Sequence, residues 1–450
     1  MKLVFFFLFV AGLIEKASGF AYNNERSKLL RSTTTKAVEC FLETSDGKEL
    51  SELFDRAWRE RLPLLARGVV SVPELLVDPD EVAGLAMESD VCARVVTADE
   101  TYAAPVAEDI FEKLTKPPWS ILVNDAEKLL PKVGDFAASF FSEDFVNSRK
   151  WLRDDVMVSA SSRDGGVGPH CDSNDVILLQ AAGSRRWRIE KDQLSKEKEA
   201  ERHLASDFVA DAEFVLKTGD FLFVPARIPH DGVALEDYSV TCSFGFRTMH
   251  DVNLLLDAFV LDGDYFDDDS SSHETVDTND QSKLSQIASA GSNVPIAAVG
   301  VLRDSLRGAL EAKLSDETKL MSLLGRLATE RRDPENDQDD TCWDHTLADY
   351  LGGDLIDTTT EGETLLLEDD ITIHHAAGAR FARLSTNLLA VNGRTIRVPA
   401  KVIDLATTIA DRRSLDLADD LRPLLTASQE SQDFLKSLLQ RGDLIAIRRR

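Results

Sequence analysis

Short strand-like segments fill the region between residues 154 and 246, and glycine or proline turns separate them. "DDVMVSAS" (Asp154–Ser161) alternates apolar and polar residues, as a half-buried strand does. "FVLKTGDFLFV" reads as a strand, a Thr-Gly-Asp turn and a second strand, and "DYSVTCSFGFRT" reads as a final strand. Short strands with such turns favour a double-sheet β-barrel of the jelly-roll or cupin kind.

Helices are predicted before the barrel strands. Asp78 is placed to cap one helix, with Pro79 at its first position, and this helix should run to about Met87. "LLPKVGDFAASFFSEDF" reads as a second, amphipathic helix. The fold class is therefore α+β.

At 450 residues the chain is too long for one ordinary domain. We predict a barrel domain at 45–248, a helical domain at 249–340 and a mixed domain at 341–450 that resembles a winged helix. The apolar repeat of the helical domain suggests a dimer interface. An acidic low-complexity insertion at 267–282 is expected to be disordered.

The formal charge of −28 argues against non-specific binding to nucleic acid, which needs Lys and Arg to neutralise phosphates. Direct DNA binding by the winged-helix-like domain is therefore not expected. Acidity fits a basic protein partner better, although it also serves solubility alone. The five cysteines are scattered without a CxxC pair, which predicts free thiols in a reducing compartment.

The N-terminus predicts a targeting segment. Residues 1–19 have a basic residue, a short apolar run and small residues, as a signal peptide does, and the run is too short to favour a membrane anchor. Residues 20–44 are rich in hydroxyl and basic side chains, as transit peptides are. The two together resemble bipartite plastid presequences, with Phe20 just after the cleavage point. Plain secretion remains the alternative.

One histidine–carboxylate pair carries the chemistry. In an extended segment His170 and Asp172 would point to the same side, and the segment "VPARIPHDG", predicted as a loop, offers His230 as a third ligand. Two histidines and one aspartate make the facial triad of non-haem Fe(II) oxygenases, which leaves three metal positions open. The alternative is that His170 and Asp172 simply pair in a core.

A 2-oxo acid would fill two of those open positions, and its distal carboxylate would then need a cation and a hydroxyl donor. Arg185, at the start of "RRWRI", is the candidate cation, because its planar fork suits a carboxylate. Ser161 and Ser243 are candidate hydroxyl donors. Trp187, two residues after Arg185, would face the same side and is interpreted as a core residue. An exposed edge position for Arg185, and packing or solvent-facing roles for the serines, remain open.

The segments "GGVGPHCDSNDVILLQAAGSRRWRI" and "KTGDFLFVPARIPHDGVALEDYSVTCSFGFR" resemble the ribosomal oxygenases of the JmjC/cupin superfamily. They are most similar to the bacterial-type hydroxylases that modify an arginine of a large-subunit ribosomal protein. The likeness continues into "AAGARFARLSTNLLAVNGRTI". The departures are the presequence, the acidic insertion and Cys171 between the first two ligands.

This resemblance implies a JmjC double-stranded β-helix barrel, a helical dimerisation domain with a homodimer, and a C-terminal winged helix. It also implies Fe(II), with 2-oxoglutarate and O2 as co-substrates. The ligand motif transfers as His170, Asp172 and His230, and Arg185 takes the position of the basic 2-oxoglutarate anchor. The alternatives are a JmjC histidyl hydroxylase, a lysine demethylase, or a non-catalytic adaptor for a basic protein.

Overall fold

The computed structural model describes residues 41–114, 117–193, 208–248, parts of 303–330, 341–358 and 368–450. The chain divides into two compact units, Met1–Thr248 and Met249–Arg450. The predicted signal peptide, most of the transit-like segment, the acidic insertion and most of the predicted helical domain lie outside the described residues. The first strand begins at Leu42, slightly before the predicted start of the barrel domain.

The strands of the first unit form two sheets, because alternating apolar residues must be buried from both faces. The strands are β1 (Leu42–Thr44), β2 (Leu64–Ala66), β3 (Ala93–Thr97), β4 (Thr101–Ala103), β5 (Trp119–Val123), β6 (Arg153–Ser161), β7 (Asp175–Ala182), β8 (Ser184–Ile189), β9 (Ala212–Lys217), β10 (Phe221–Val224), β11 (His230–Ala234) and β12 (Ser239–Phe246). Nine of them form one sheet in the order β1-β2-β10-β7-β12-β6-β5-β3-β4, and three form the sheet β11-β8-β9.

The two sheets enclose a common apolar interior. Leu178 and Leu222 of the larger sheet pack in one cluster with Trp187 and Leu216 of the smaller sheet. Nearly all strand pairs are antiparallel, with β1–β2 the parallel exception among the described pairs. This is the cupin-type barrel that the sequence predicts.

Helices cover the outer face of the larger sheet. They are α1 (Gly47–Glu60), α2 (Pro79–Leu85), α3 (Glu108–Lys113), α4 (Ala126–Leu129), α5 (Pro131–Phe140) and α6 (Asp144–Asn147). Phe223 of β10 stacks against Trp58 of α1, with ring centroids 5.5 Å apart, and Phe244 of β12 stacks against Phe140 of α5 at 4.1 Å. These residues face away from Leu222 because strand side chains alternate.

The second unit has its own core and mixes short sheets with helices. Its described elements are α7 (Glu317–Thr329), α8 (Thr341–Tyr350), β13 (Gly353–Leu355), β14 (Ile371–His375), β15 (Phe381–Ser385), β16 (Leu388–Val391), β17 (Arg394–Arg397), α9 (Ile403–Asp411), β18 (Ser414–Asp416), α10 (Arg422–Leu425), α11 (Gln429–Gln440) and β19 (Leu444–Arg449). The strands pair as β13-β19-β14-β18 and as β15-β16-β17.

Sequence signals for individual elements are mostly confirmed. Asp78 caps α2, with its side chain accepting a hydrogen bond from the Asp80 backbone, and Pro79 opens the helix. The sequence also predicts a helix at 415–422, and the structure has helical residues there from Leu417, as a π-helix over Leu417–Leu421, because β18 continues to Asp416. None of the helices in the described ranges is long and apolar enough to cross a membrane.

A candidate metal centre and a buried arginine in the barrel

The structure brings His170, Asp172 and His230 together at one end of the barrel. One ligand atom from each lies within 4.8 Å of the others, and His230 Nε2 lies 3.5 Å from Asp172 Oδ2. His230 is buried, whereas His170 and Asp172 are partly exposed, so the group is open on one side. Within the described residues, this is the group of acidic, histidine and cysteine side chains that could hold a metal.

The local structure around the triad differs from the sequence prediction. His230 was predicted in a loop, but it is the first residue of β11. His170 and Asp172 lie outside the regular strands, in the stretch 162–174 between β6 and β7. An isolated antiparallel bridge between His170 and His230 holds this stretch beside β11.

Backbone hydrogen bonds fix this irregular stretch against its neighbours. The His170 amide donates to the His230 carbonyl at 3.0 Å, and the His230 amide donates back to the His170 carbonyl at 2.8 Å. The Arg227 amide donates to the Asp172 carbonyl at 2.7 Å. A side chain on Gly166 would meet the Gly232 carbonyl at 2.4 Å, so only glycine permits this close approach.

Both imidazoles are held in the tautomer that a metal requires. His170 Nδ1 lies 2.9 Å from the Gly168 carbonyl oxygen, and His230 Nδ1 lies 2.9 Å from the Ile228 carbonyl oxygen. A carbonyl oxygen only accepts, so each Nδ1 donates its proton there and leaves the Nε2 lone pair free. Burial and, to a smaller extent, the neighbouring His170 lower the pKa of His230 to about 4, while Asp172 opposes the change. His230 is therefore neutral at physiological pH.

These residues fit a divalent metal ion. Two ligands bound side by side, each about 2.1 Å from an ion, lie about 3 Å apart, close to the His230–Asp172 separation. Two free imidazole nitrogens and one carboxylate are the donor set of the facial triad. A structural zinc site would need a fourth protein ligand, and among the described residues none joins the cluster.

Arg185 lies in the barrel interior, and an exposed edge position is excluded. The residue is 4% exposed, and its Nη2 donates to Ser161 Oγ at 2.6 Å. No carboxylate among the described residues forms an ion pair with it, and its Nε has no hydrogen-bond partner. Burial lowers the pKa of Arg185 to about 10, with Asp231 opposing, so the guanidinium remains charged. A buried cation without an anion is costly, and a bound carboxylate would satisfy it.

The two candidate serines differ in their contacts. Ser161 is fully buried and bonds both Arg185 and the Ser120 hydroxyl, whose oxygen lies 2.8 Å away. Ser243 faces the same interior, opposite Met157 and Leu178, but no hydrogen bond joins it to Arg185 in the described part of the chain. Sequence reasoning missed Ser120, because its role depends on the pairing of β5 with β6.

Trp187, interpreted from the sequence as a core residue, lies between the two candidate sites. Its ring centroid is 5.8 Å from that of His230, and the Arg185 guanidinium carbon lies 5.8 Å from it. It shares the inward face of β8 with Arg185 because the two are two residues apart. The neighbouring Arg188 has the opposite orientation and forms an ion pair with buried Asp231.

Comparison with known proteins agrees with this geometry. A family model described as the JmjC domain matches residues 140–254, which include the triad and Arg185. Residues 140–254 are therefore similar to JmjC domains. A protein described as a probable ribosomal oxygenase from Haemophilus influenzae is 35% identical over 215 residues, covering 45% of this chain and 51% of the relative. The ribosomal protein uL16 3-hydroxylase of Escherichia coli is 34% identical over 200 residues, covering 44% and 52%.

The predicted resemblance to ribosomal oxygenases is thus confirmed, and the match spans about half the length of these curated relatives. Solved structures of YcfD, a ribosomal oxygenase from Escherichia coli, share the fold of this chain, and the match extends beyond residues 140–254. One has a TM-score of 0.61 at 22% identity and covers 86% of this chain and 96% of that chain. Another, in complex with cobalt and 2-oxoglutarate, also has a TM-score of 0.61 and covers 85% and 94%.

Proposed function

We propose that this protein is an Fe(II)- and 2-oxoglutarate-dependent protein hydroxylase that acts on an arginine of a large-subunit ribosomal protein. The observation that carries the proposal is that one barrel holds both an open His170–Asp172–His230 group and Arg185, a buried cation with no anionic partner in the described part of the chain. A metal that chelates one end of 2-oxoglutarate and a cation that binds the other end together define that co-substrate.

Each residue has a distinct part. His170, Asp172 and His230 would hold Fe(II), and the backbone hydrogen bonds of their segments would fix the three ligands in place. A facial triad of this kind leaves three metal positions for co-substrate and oxygen. Arg185 and Ser161 would bind the distal carboxylate, with Ser120 holding the Ser161 hydroxyl in place. Bound iron supplies the oxidising chemistry: one oxygen atom enters the substrate C–H bond, and the other enters succinate as 2-oxoglutarate loses CO2.

The substrate proposal rests on the curated relative and on charge. One relative is named as a hydroxylase of ribosomal protein uL16. A protein that lies on RNA is strongly basic, and the −28 charge of this chain would attract such a protein and speed encounter at low salt. We propose the corresponding protein of a bacterial-type ribosome, hydroxylated at an arginine β-carbon.

Purified protein, Fe(II), 2-oxoglutarate and a peptide containing the target arginine provide the test. We expect succinate release that depends on the peptide, and an arginine heavier by one oxygen atom in mass spectra. A peptide in which lysine replaces the arginine is the matched control and should gain no oxygen. Release of formaldehyde from a methyl-lysine peptide would indicate a demethylase, oxidation of a histidine peptide would indicate a histidyl hydroxylase, and iron-loaded protein without any turnover would indicate an adaptor.

The assembly and the location are part of the proposal. We propose a homodimer through the helical domain, and light scattering of the full chain should give twice the monomer mass of 49.7 kDa.

We also propose a plastid location, from the order of the signal-like and transit-like segments. A tag at the C-terminus should accumulate inside the plastid. Secretion of the tagged protein would contradict the location while leaving the enzyme assignment intact.

A further inference from the structure

Trp187 carries a buried hydrogen-bond donor that the fold does not use. The residue is 5% exposed, and among the residues that the structure describes none forms a hydrogen bond with its Nε1. Leaving a buried N–H group unpaired costs about 1–3 kcal/mol, and native structures therefore pair almost all such groups. If residue 187 only filled an apolar core, phenylalanine would serve there without leaving an N–H group unpaired.

Trp187 lies between the two ends of the proposed co-substrate site, because it pairs with Gly232, midway along β11 between Ala234, which pairs with Arg185, and His230. Arg185 and His230 are each 5.8 Å from the indole ring, measured from the guanidinium carbon and from the imidazole centroid. These two residues represent the opposite ends of the proposed co-substrate site, the distal anchor and the metal. The indole therefore lines the segment between them, on the inward face of β8.

The position of the indole is fixed from β11. A Cβ on residue 232 would lie 2.6 Å from Cη2 and Cζ3 and 2.9 Å from Cε3 of Trp187. Similar distances to three atoms of the six-membered ring place that Cβ over the ring face, so the indole packs flat against the backbone of β11. Gly232 thus permits a close approach that holds the ring in place.

We propose that Trp187 Nε1–H donates a hydrogen bond to an oxygen of a 2-oxo acid held between the metal ligands and Arg185. Trp187 is then a ligand-binding residue and not only a core residue. The inference rests on the proposed function, since it requires that the barrel binds 2-oxoglutarate. It adds a further contact between the metal chelate and the anchor formed by Arg185 and Ser161.

Calorimetry separates this contact from metal binding. The full chain, W187F and W58F are titrated with 2-oxoglutarate at saturating Mn(II), and in parallel with Mn(II) alone. Trp58 is the matched control because it packs on the outer face of the larger sheet, against Phe223 and Phe246. We expect W187F to bind 2-oxoglutarate about ten-fold more weakly and Mn(II) equally, and W58F to match the unsubstituted protein in both.

A second measurement needs no variant. In the Zn(II)-loaded protein with 15N-labelled tryptophan, one indole N–H resonance should move on addition of 2-oxoglutarate, out of the five tryptophans in the chain. Equal 2-oxoglutarate affinities of W187F and the unsubstituted protein, or five unmoved indole resonances at saturation, would overturn the inference and leave the proposed function standing. Absence of 2-oxoglutarate binding to the unsubstituted protein would overturn both.

Discussion

Arg185 of β8 donates a hydrogen bond to Ser161 of β6 across 2.6 Å, and this bond joins the two sheets of the barrel inside its core. The arginine thereby points inward although it has no acidic partner in the described residues. A barrel that needed only stability would place an apolar side chain there, because burying an unpaired charge is costly. The bond therefore supports the anion-binding role that we propose for Arg185.

Replacing Arg185 by alanine should raise the 2-oxoglutarate requirement strongly. A charge-assisted contact of this kind contributes about 1.5–3 kcal/mol, or about 10- to 100-fold in affinity. Mn(II) binding should be unchanged, because the metal ligands are untouched. Calorimetry with each ligand measures both effects. Lys217→Ala, which removes an exposed cation from the neighbouring strand β9, is the control and should bind 2-oxoglutarate normally. An unaltered affinity in Arg185→Ala would show that another cation is the anchor.

His170→Ala should abolish peptide-dependent succinate release and weaken metal binding by at least ten-fold, because one of three protein ligands is lost. Its thermal midpoint without metal should change little, since the backbone bridge to His230 does not need the imidazole. His345→Ala removes an exposed histidine of α8 and should retain full turnover and metal content. Metal analysis after gel filtration measures the content. Turnover that persists in His170→Ala would refute the triad.

Gly232→Ala should destabilise the barrel and displace the Trp187 indole. The added Cβ would lie 2.6 Å from ring carbons, which is far inside van der Waals contact. Overpacking of this kind costs about 1–3 kcal/mol, measurable by urea unfolding. Gly84→Ala is the matched control, because that position in α2 has no atom within 4 Å of an added Cβ. It should be neutral or stabilising by up to about 1 kcal/mol. Equal stability of the two variants would contradict the close packing.

Cys242 should resist alkylation in the folded protein. Burial raises the pKa of its thiol to about 12, and the thiolate is the reactive form. Raising the pH from 7 to 9 should therefore accelerate iodoacetamide labelling of the exposed Cys92 and leave Cys242 unlabelled. Peptide mapping by mass spectrometry distinguishes the two. Unfolding in urea should make both react, and labelling of Cys242 without denaturant would show that β12 opens.

The sequence predicted those parts of the fold that depend on local pattern. Alternation located β6 closely, the Thr-Gly-Asp turn separated β9 from β10, and Asp78 with Pro79 marked the start of α2. These signals succeed because a strand or a cap is specified by residues a few positions apart. The larger sheet extends through β1 to β5, and its order was not predictable, because strand neighbours are set by contacts between distant segments.

In the candidate site, too, the features set by local sequence were predicted and those set by contacts between distant segments were not. The triad was recognisable because its residue types are rare in combination and occur at barrel spacing, and the structure brings them together. Ser120 was missed because its hydroxyl meets Ser161 only after β5 pairs with β6. The unpaired N–H of Trp187 could not be predicted either. The alternation pattern shows that residue 187 faces inward, but it does not show which hydrogen bonds its side chain forms. The presequence and the acidic insertion lie outside the described residues and stay predictions.

The reciprocal amide bonds between His170 and His230 have a consequence for metal supply. These backbone hydrogen bonds hold the ligand segments together without a metal ion, so one divalent ion can replace another without refolding of the site. Its ligands then follow the general affinity order of first-row metals, in which Co(II) and Ni(II) exceed Fe(II). The metal recovered with the purified protein will therefore reflect the ions in the growth medium and buffers, and iron content at isolation is a record of supply rather than of selectivity.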